Sequence, residues 1–220
     1  MIVGDVWGGI QSFGLYQGIQ TIFIEFQGCE LRCKTCPNYR RRARGCGEYF
    51  GSLDLVREIK ALPNLLHVSL CGGEPLLQEM PGFQAFLREM WYLEYVTSLW
   101  TTGVIPIRKT LGSKFMDYVA LHIKFRPPSS GEVDKNVYDN MDCVYWDKDC
   151  CVLELRTKDD FEWAKDLVKE NPTVNWVIVP MLDNKYTPTM IERVMEGNVF
   201  SQIGIQFPFD QTLELVYSQW

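Results

Sequence analysis

Six stretches of this 220-residue chain are almost unbroken apolar runs of strand length, at 21–26, 67–71, 95–100, 118–124, 151–156 and 176–180, with a weaker seventh at 203–207. A strand that apolar must be covered on both faces, which is the situation in a parallel sheet and not in a half-wet antiparallel one. Helical patterns separate the runs. Ser52 can cap the helix of 53–62, with Arg57, Glu58 and Lys60 on its wet side. Pro81 stands near the start of a second helix at 79–93. Asp159 and Asp160 open a third at 161–171, acids at its positive end. Thr187 can cap a fourth at 188–197, with Pro188 in its first turn and Gly197 past its end. Alternating strand and helix gives an α/β fold with a parallel sheet. About six units fall short of the eight of a closed barrel, so the expected architecture is an incomplete parallel β/α barrel. With 46% hydrophobic residues, the length suits one domain over residues 1–220.

In such folds the site forms at the C-terminal ends of the strands. There the first run leads into FQGCELRCKTCPN, with Cys29, Cys33 and Cys36 within eight residues. The N-terminus lacks a basic segment followed by an apolar one, so a reduced, cytoplasmic chain is expected. No run nears the ~18 apolar residues of a membrane span. In a reducing compartment three clustered cysteines point to metal. A 4Fe–4S cubane held by three thiolates keeps one iron open. Structural zinc is the alternative, and needs a fourth ligand such as Cys46 or Cys71.

The second run ends in Cys71-Gly72-Gly73-Glu74-Pro75. Two glycines leave main-chain groups open to a ligand, and Glu74 adds an acceptor for a cationic group such as an amine. Thr101 and Thr102, Lys124 and Arg156 close the third, fourth and fifth runs. Each is either a ligand-binding group or an ordinary strand-end polar residue.

The CxxxCxxC spacing after the first run and GGEP after the second together resemble the radical S-adenosylmethionine (SAM) superfamily, and the likeness covers most of the chain. The resemblance implies that SAM chelates the open iron through its amino and carboxylate groups, and that the reduced cluster cleaves it to a 5′-deoxyadenosyl radical. It implies further that Gly72, Gly73 and Glu74 contact the methionyl amine. Thr101 and Thr102 would reach the ribose or carboxylate, Lys124 the carboxylate, and Arg156 either group. Thr35 stands where the family has an aromatic residue near the adenine.

Within the superfamily two likenesses compete. The run IQSFGLYQGIQTIFIEFQGCELRCKTCPN is similar to the activating enzymes of glycyl-radical enzymes, of the anaerobic ribonucleotide reductase or formate-lyase type, with Gln20 and Pro37 as departures. This is the first expectation, and it implies a glycyl-radical enzyme as partner. PPSSG at 127–131 and DDFEWAKDLVKEN at 159–171 are similar to 7-carboxy-7-deazaguanine synthase, which implies a small pterin substrate. That family's QGEG run appears as Gln11-Ser12-Phe13-Gly14, its carboxylate-binding arginine falls at Glu25, and its magnesium-binding threonine at Asn38. A scaffold that binds iron–sulfur or zinc without turnover is the third class.

The net charge of −6, from 22 basic and 28 acidic residues, speaks against direct nucleic-acid binding. Arg40, Arg41, Arg42 and Arg44 follow the cysteine loop, either as a dock for an acidic electron donor such as flavodoxin or ferredoxin or as a solvated loop. Cys143, Cys150 and Cys151 match no cluster spacing and read as free thiols. His67 and His122 lie in strand patterns and read as core residues. The segment 126–149 is the least regular and reads as an insertion or lid.

Overall fold

The structure, a computed structural model, describes residues 1–180 except 13, 35, 37–38, 40–42, 44, 46, 63–64, 126, 132–136 and 146, and in addition residues 204–205. The strands are β1 (Ile2–Ile10), β2 (Gln20–Phe26), β3 (Glu48–Tyr49), β4 (His67–Gly72), β5 (Val96–Thr101), β6 (Ala120–Phe125), β7 (Cys150–Leu155), β8 (Trp176–Pro180) and β9 (Gly204–Ile205). They form one open sheet in the order β3-β1-β2-β4-β5-β6-β7-β8-β9. From β2 to β9 every neighbour is parallel. The fold is the incomplete parallel β/α barrel read from the apolar runs, and each expected strand lies within one or two residues of its run. The weak seventh run contributes two described strand residues; the helix expected after Thr187 lies outside the described residues.

β1 and β3 carried no such signal. β1 (IVGDVWGGI) is antiparallel to β2 and is broken by glycines and an aspartate, so it lacks the apolar continuity of a strand buried on both faces. β3 is only two residues long and pairs with Ile2 and Val3.

Strand alternation sorts the side chains. Ile22, Ile24, Phe26, Val68, Leu70, Leu99, Leu121, Ile123, Leu153 and Ile178 turn outward into the main core. There they meet α1 (Ser52–Ala61) through Leu55 and Ile59, α2 (Met80–Tyr92) through Phe83, Phe86 and Met90, and α6 (Lys158–Glu170) through Phe161, Ala164 and Leu167. Each such side chain, taken fully from water, contributes roughly 1.5–3 kcal/mol before entropy is charged against it. Arg57, Glu58 and Lys60 of α1 face solvent, as the pattern required.

The helix starts differ in detail from the sequence reading. Gly51, not Ser52, precedes α1, and no side chain caps it; Ser52 is already helical. Glu79 caps α2 by accepting from Gly82 N at 3.0 Å, with Pro81 in the first turn. Thr157 caps α6 in a capping box with Asp160. The two short helices α3 (Ile107–Leu111) and α4 (Ser113–Met116) follow β5, and α5 (Val137–Met141) lies in the irregular 126–149 segment. At five residues or fewer they are below the length at which periodicity is readable.

The excursion between β1 and β2 packs on the inner face of the sheet. Gly14 has φ +92°, and a Cβ there would lie 2.7 Å from His122 Cδ2 and 2.8 Å from the Trp100 ring. Leu15 N donates to His122 Nε2 at 3.1 Å, and Tyr16 sits 4.4 Å from the His67 ring. Trp100 stacks on His122 at 4.3 Å. Burial pushes the His122 pKa down to about 3 and that of His67 down to about 4, so both imidazoles are neutral. Both histidines are core residues, as read from the sequence.

Candidate active site

At the C-terminal ends of the strands lies a cavity of about 320 Å³. It gathers most of the residues singled out from the sequence: Cys29, Cys33, Cys36, Gly72, Gly73, Thr101, Thr102, Lys124 and Arg156 all line it. The inner faces of β2, β4, β5, β6 and β7 supply its walls, through Phe23 and Glu25, Ser69 and Cys71, Trp100, Lys124, and Glu154 respectively.

The cysteine loop is held by main-chain bonds. Gly73 N donates to Phe26 O at 2.8 Å and Glu74 N to Gly28 O at 2.7 Å, tying the exit of β4 to the exit of β2. Gly72 makes this approach possible. Its φ is +99°, and a Cβ would meet Phe26 O at 2.7 Å and Phe26 N at 2.8 Å. Its missing side chain is therefore taken up by β2 as well as by the cavity. Lys34 N donates to Ser130 O at 3.1 Å, so the irregular segment after β6 braces the loop from the far side.

Cys29, Cys33 and Cys36 form no disulfide and line the cavity. Three thiolates from one loop fit a 4Fe–4S cluster, whose thiolates bind different irons, and the cavity beside them gives room for SAM.

Glu74 is placed otherwise than expected. It is 1% exposed and is absent from the cavity lining. Oε1 accepts from Leu76 N at 3.1 Å and Thr101 Oγ1 at 2.9 Å; Oε2 accepts from Thr102 N at 2.8 Å and Thr102 Oγ1 at 2.6 Å. A carboxylate offers about four lone-pair sites, and all are used within the chain. Glu74 therefore positions the 101–103 segment, and both threonine hydroxyls donate inward to it. Lys124 is likewise engaged: Nζ lies 2.7 Å from Glu154 Oε1 and 5.4 Å from the centre of the Trp100 ring. Arg156 lines the cavity while its backbone N donates to Asp160 Oδ2 at 3.0 Å.

Asp160 was read only as a helix-opening acid. It is fully buried and also accepts from Ser129 N and Ser129 Oγ, at 2.9 and 2.7 Å, so it anchors the segment after β6. Asn140 bonds Gly103 O, Ile105 O and Ile107 N and fixes the segment after Thr102. Neither role had a sequence signal, because each joins segments more than thirty residues apart. Cys150 faces the sheet interior beside Trp100 and Val152, whereas Cys151 faces the main core. Burial raises both thiols well above their usual pKa, so they are inert free thiols. Thr35, Asn38, Cys46 and the run Arg40, Arg41, Arg42 and Arg44 lie outside the described residues.

Comparison with known proteins places this geometry. A family model described as a 4Fe–4S single cluster domain matches residues 17–123. A 7-carboxy-7-deazaguanine synthase of Methanothermobacter thermautotrophicus is 34% identical over 122 residues, covering 54% of this chain and 48% of that protein. The chain thus spans about half the length of that relative. One from Methanospirillum hungatei is 26% identical over 94% of this chain and 83% of its own length. Among solved structures, QueE from Escherichia coli superposes with a TM-score of 0.65 at 15% identity, covering 94% of this chain and 92% of that one. SuiB from Streptococcus suis, solved bound to S-adenosylmethionine, superposes with a TM-score of 0.55 at 15% identity, over 84% of this chain and 48% of that one. The cysteine loop, the partial barrel and these matches agree with the resemblance to the radical SAM superfamily, an enzyme class that uses a 4Fe–4S cluster and SAM. Within that class the relatives named here are 7-carboxy-7-deazaguanine synthases and not glycyl-radical activases.

Proposed function

We propose that the chain is a synthase-type radical SAM enzyme, acting on a small pterin in the manner of 7-carboxy-7-deazaguanine synthase. The observation that carries this is the cavity. At about 320 Å³ and walled by strand side chains from β2 to β7, it has the size of a small-molecule site. Relatives spanning nearly the whole chain carry the synthase name. Together these favour the synthase over the activase, whose glycyl-radical partner finds no support in them.

Cys29, Cys33 and Cys36 would hold the cluster, which with SAM supplies a hydrogen-abstracting radical when bound. The chain's own residues orient and enclose. Gly73, Thr101 and Thr102 line the cavity, with Glu74 fixing the two threonines. Arg156 brings positive charge to the wall formed by β6 and β7, beside the Lys124–Glu154 ion pair. Trp100 and Phe125 add apolar surface that limits water.

The test is anaerobic turnover. Reconstituted protein, dithionite, SAM and 6-carboxytetrahydropterin should give 7-carboxy-7-deazaguanine by mass spectrometry. Cleavage of SAM without a deazapurine, with an EPR-visible glycyl radical appearing on an added partner enzyme, would restore the activase.

A further inference from the structure

We propose that Arg156 receives the carboxylate of the substrate; this rests on the synthase reading above. Arg156 directly follows β7 and lines the cavity. Among the described residues one other cationic side chain lines it, that of Lys124, and its Nζ is held 2.7 Å from Glu154 Oε1. That pair carries no net charge. The Arg156 guanidinium, by contrast, makes no ion pair and no hydrogen bond among the described residues; the bond that Arg156 donates comes from its backbone N.

Asp160 is the buried acid at this strand end, and its oxygens are already taken. Oδ1 accepts from Ser129 N, and Oδ2 accepts from Ser129 Oγ, Arg156 N and Thr157 N. A carboxylate offers about four lone-pair sites, so Asp160 has nothing left for the guanidinium. The same bonds fix the main chain on both sides of the Arg156 Cα, and Thr157 is fixed again by the capping box of α6. The arginine side chain therefore leaves a rigid base with its donors unspoken for.

The chemistry follows from the donor inventory. A guanidinium stays protonated, accepts nothing, and offers its N–H groups in a planar fork. Its complement is a carboxylate, held by two parallel hydrogen bonds. Charge drawn into a protein is ordinarily paired, and the cavity is where a partner can enter. Two carboxylates could supply it, that of the substrate and that of SAM. On the radical SAM reading the SAM carboxylate is committed to the open iron beside the cysteine loop. The substrate acid is then the one that meets Arg156, on the β7 side of the cavity.

The experiment uses the whole chain, reconstituted anaerobically and saturated with SAM, and measures binding calorimetrically. The probes are pterin-6-carboxylate and 6-hydroxymethylpterin, which share the ring and differ in the acid. The wild type should prefer the acid by about tenfold or more, the effect of one hydrogen bond between charged groups. R156Q should cut that preference to about twofold or less. Thermal melts check folding, and R156M takes its place should R156Q fail to fold. SAM is titrated separately, and its affinity in the variant should stay within about twofold of the wild type. Equal binding of the two probes to the wild type, or an undiminished preference in the folded variant, overturns the assignment. A fall in SAM affinity of about tenfold in the variant gives the arginine to the SAM carboxylate and overturns it as well. If deazapurine forms while R156Q discriminates normally, this inference fails and the synthase reading stands. If an Arg156-dependent preference appears without any deazapurine, the synthase reading fails and the assignment stands.

Discussion

Replacing Glu74 by Gln tests whether this residue organises the site from behind. Its carboxylate accepts from two main-chain N–H groups, of Leu76 and Thr102, and from two threonine hydroxyls. An amide keeps one accepting oxygen. Whichever way it is turned, its NH2 group confronts one of the two main-chain donors, while the hydroxyls can rotate to accept. One buried N–H is left unsatisfied, at about 1–3 kcal/mol, and charge-assisted bonds are weakened by a comparable amount. The expected loss is roughly 2–4 kcal/mol. In a chain of this length each kcal/mol lowers Tm by about 2–4 °C, so the fall should be on the order of 10 °C. Urea and thermal melts of the cluster-free protein measure this without any cofactor. A loss below about 1 kcal/mol would mean that the four bonds do not hold the 101–103 segment, and the positioning argument would fail.

Other outcomes can be checked alongside. Reconstituted wild type should hold about four irons per chain, and C29S, C33S and C36S should each hold fewer; C151S should keep the iron and lose roughly 1–3 kcal/mol by burying a hydroxyl in the main core. G72A should destabilise by roughly 1–3 kcal/mol, through positive φ and a Cβ pressed on Phe26, and should impair cluster retention measured by iron assay. The His122 and His67 pKa values in the folded state lie near 3 and 4, below the unfolded value of about 6.5. The unfolded chain therefore binds more protons below about pH 6.5, and stability is whole above that pH and is lost as pH falls. Urea midpoints between pH 7 and pH 5.5 should drop, before most carboxylates titrate, and H122Q should flatten the slope; a flat wild-type profile would show that the two imidazoles are not buried neutral.

The sheet was readable because β2 and β4 to β8 are largely buried and so are mostly apolar. β1 was hidden by Gly4, Gly8 and Gly9, and its antiparallel place follows from pairing that no local pattern records. The cavity residues were readable where a strand end meets a polar side chain. What strand position could not tell is whether such a side chain faces the ligand or a neighbour. Glu74 and Thr102 sit at strand ends, yet they spend their hydrogen bonds on each other. Glu25 was visible as a departure from the synthase pattern, but its place beside Cys71 depends on the register between β2 and β4.

The contact of Leu15 with His122 bridges 107 residues of chain. A ribosome delivers the stopper long before the socket. Until β6 has been made and seated, Leu15 lacks the His122 partner that pins this excursion, and the inner surface of the half-built sheet stays partly wet. Nascent chains halted before residue 120 should therefore be open to proteases in their opening segment, and synthesis past that point should close it.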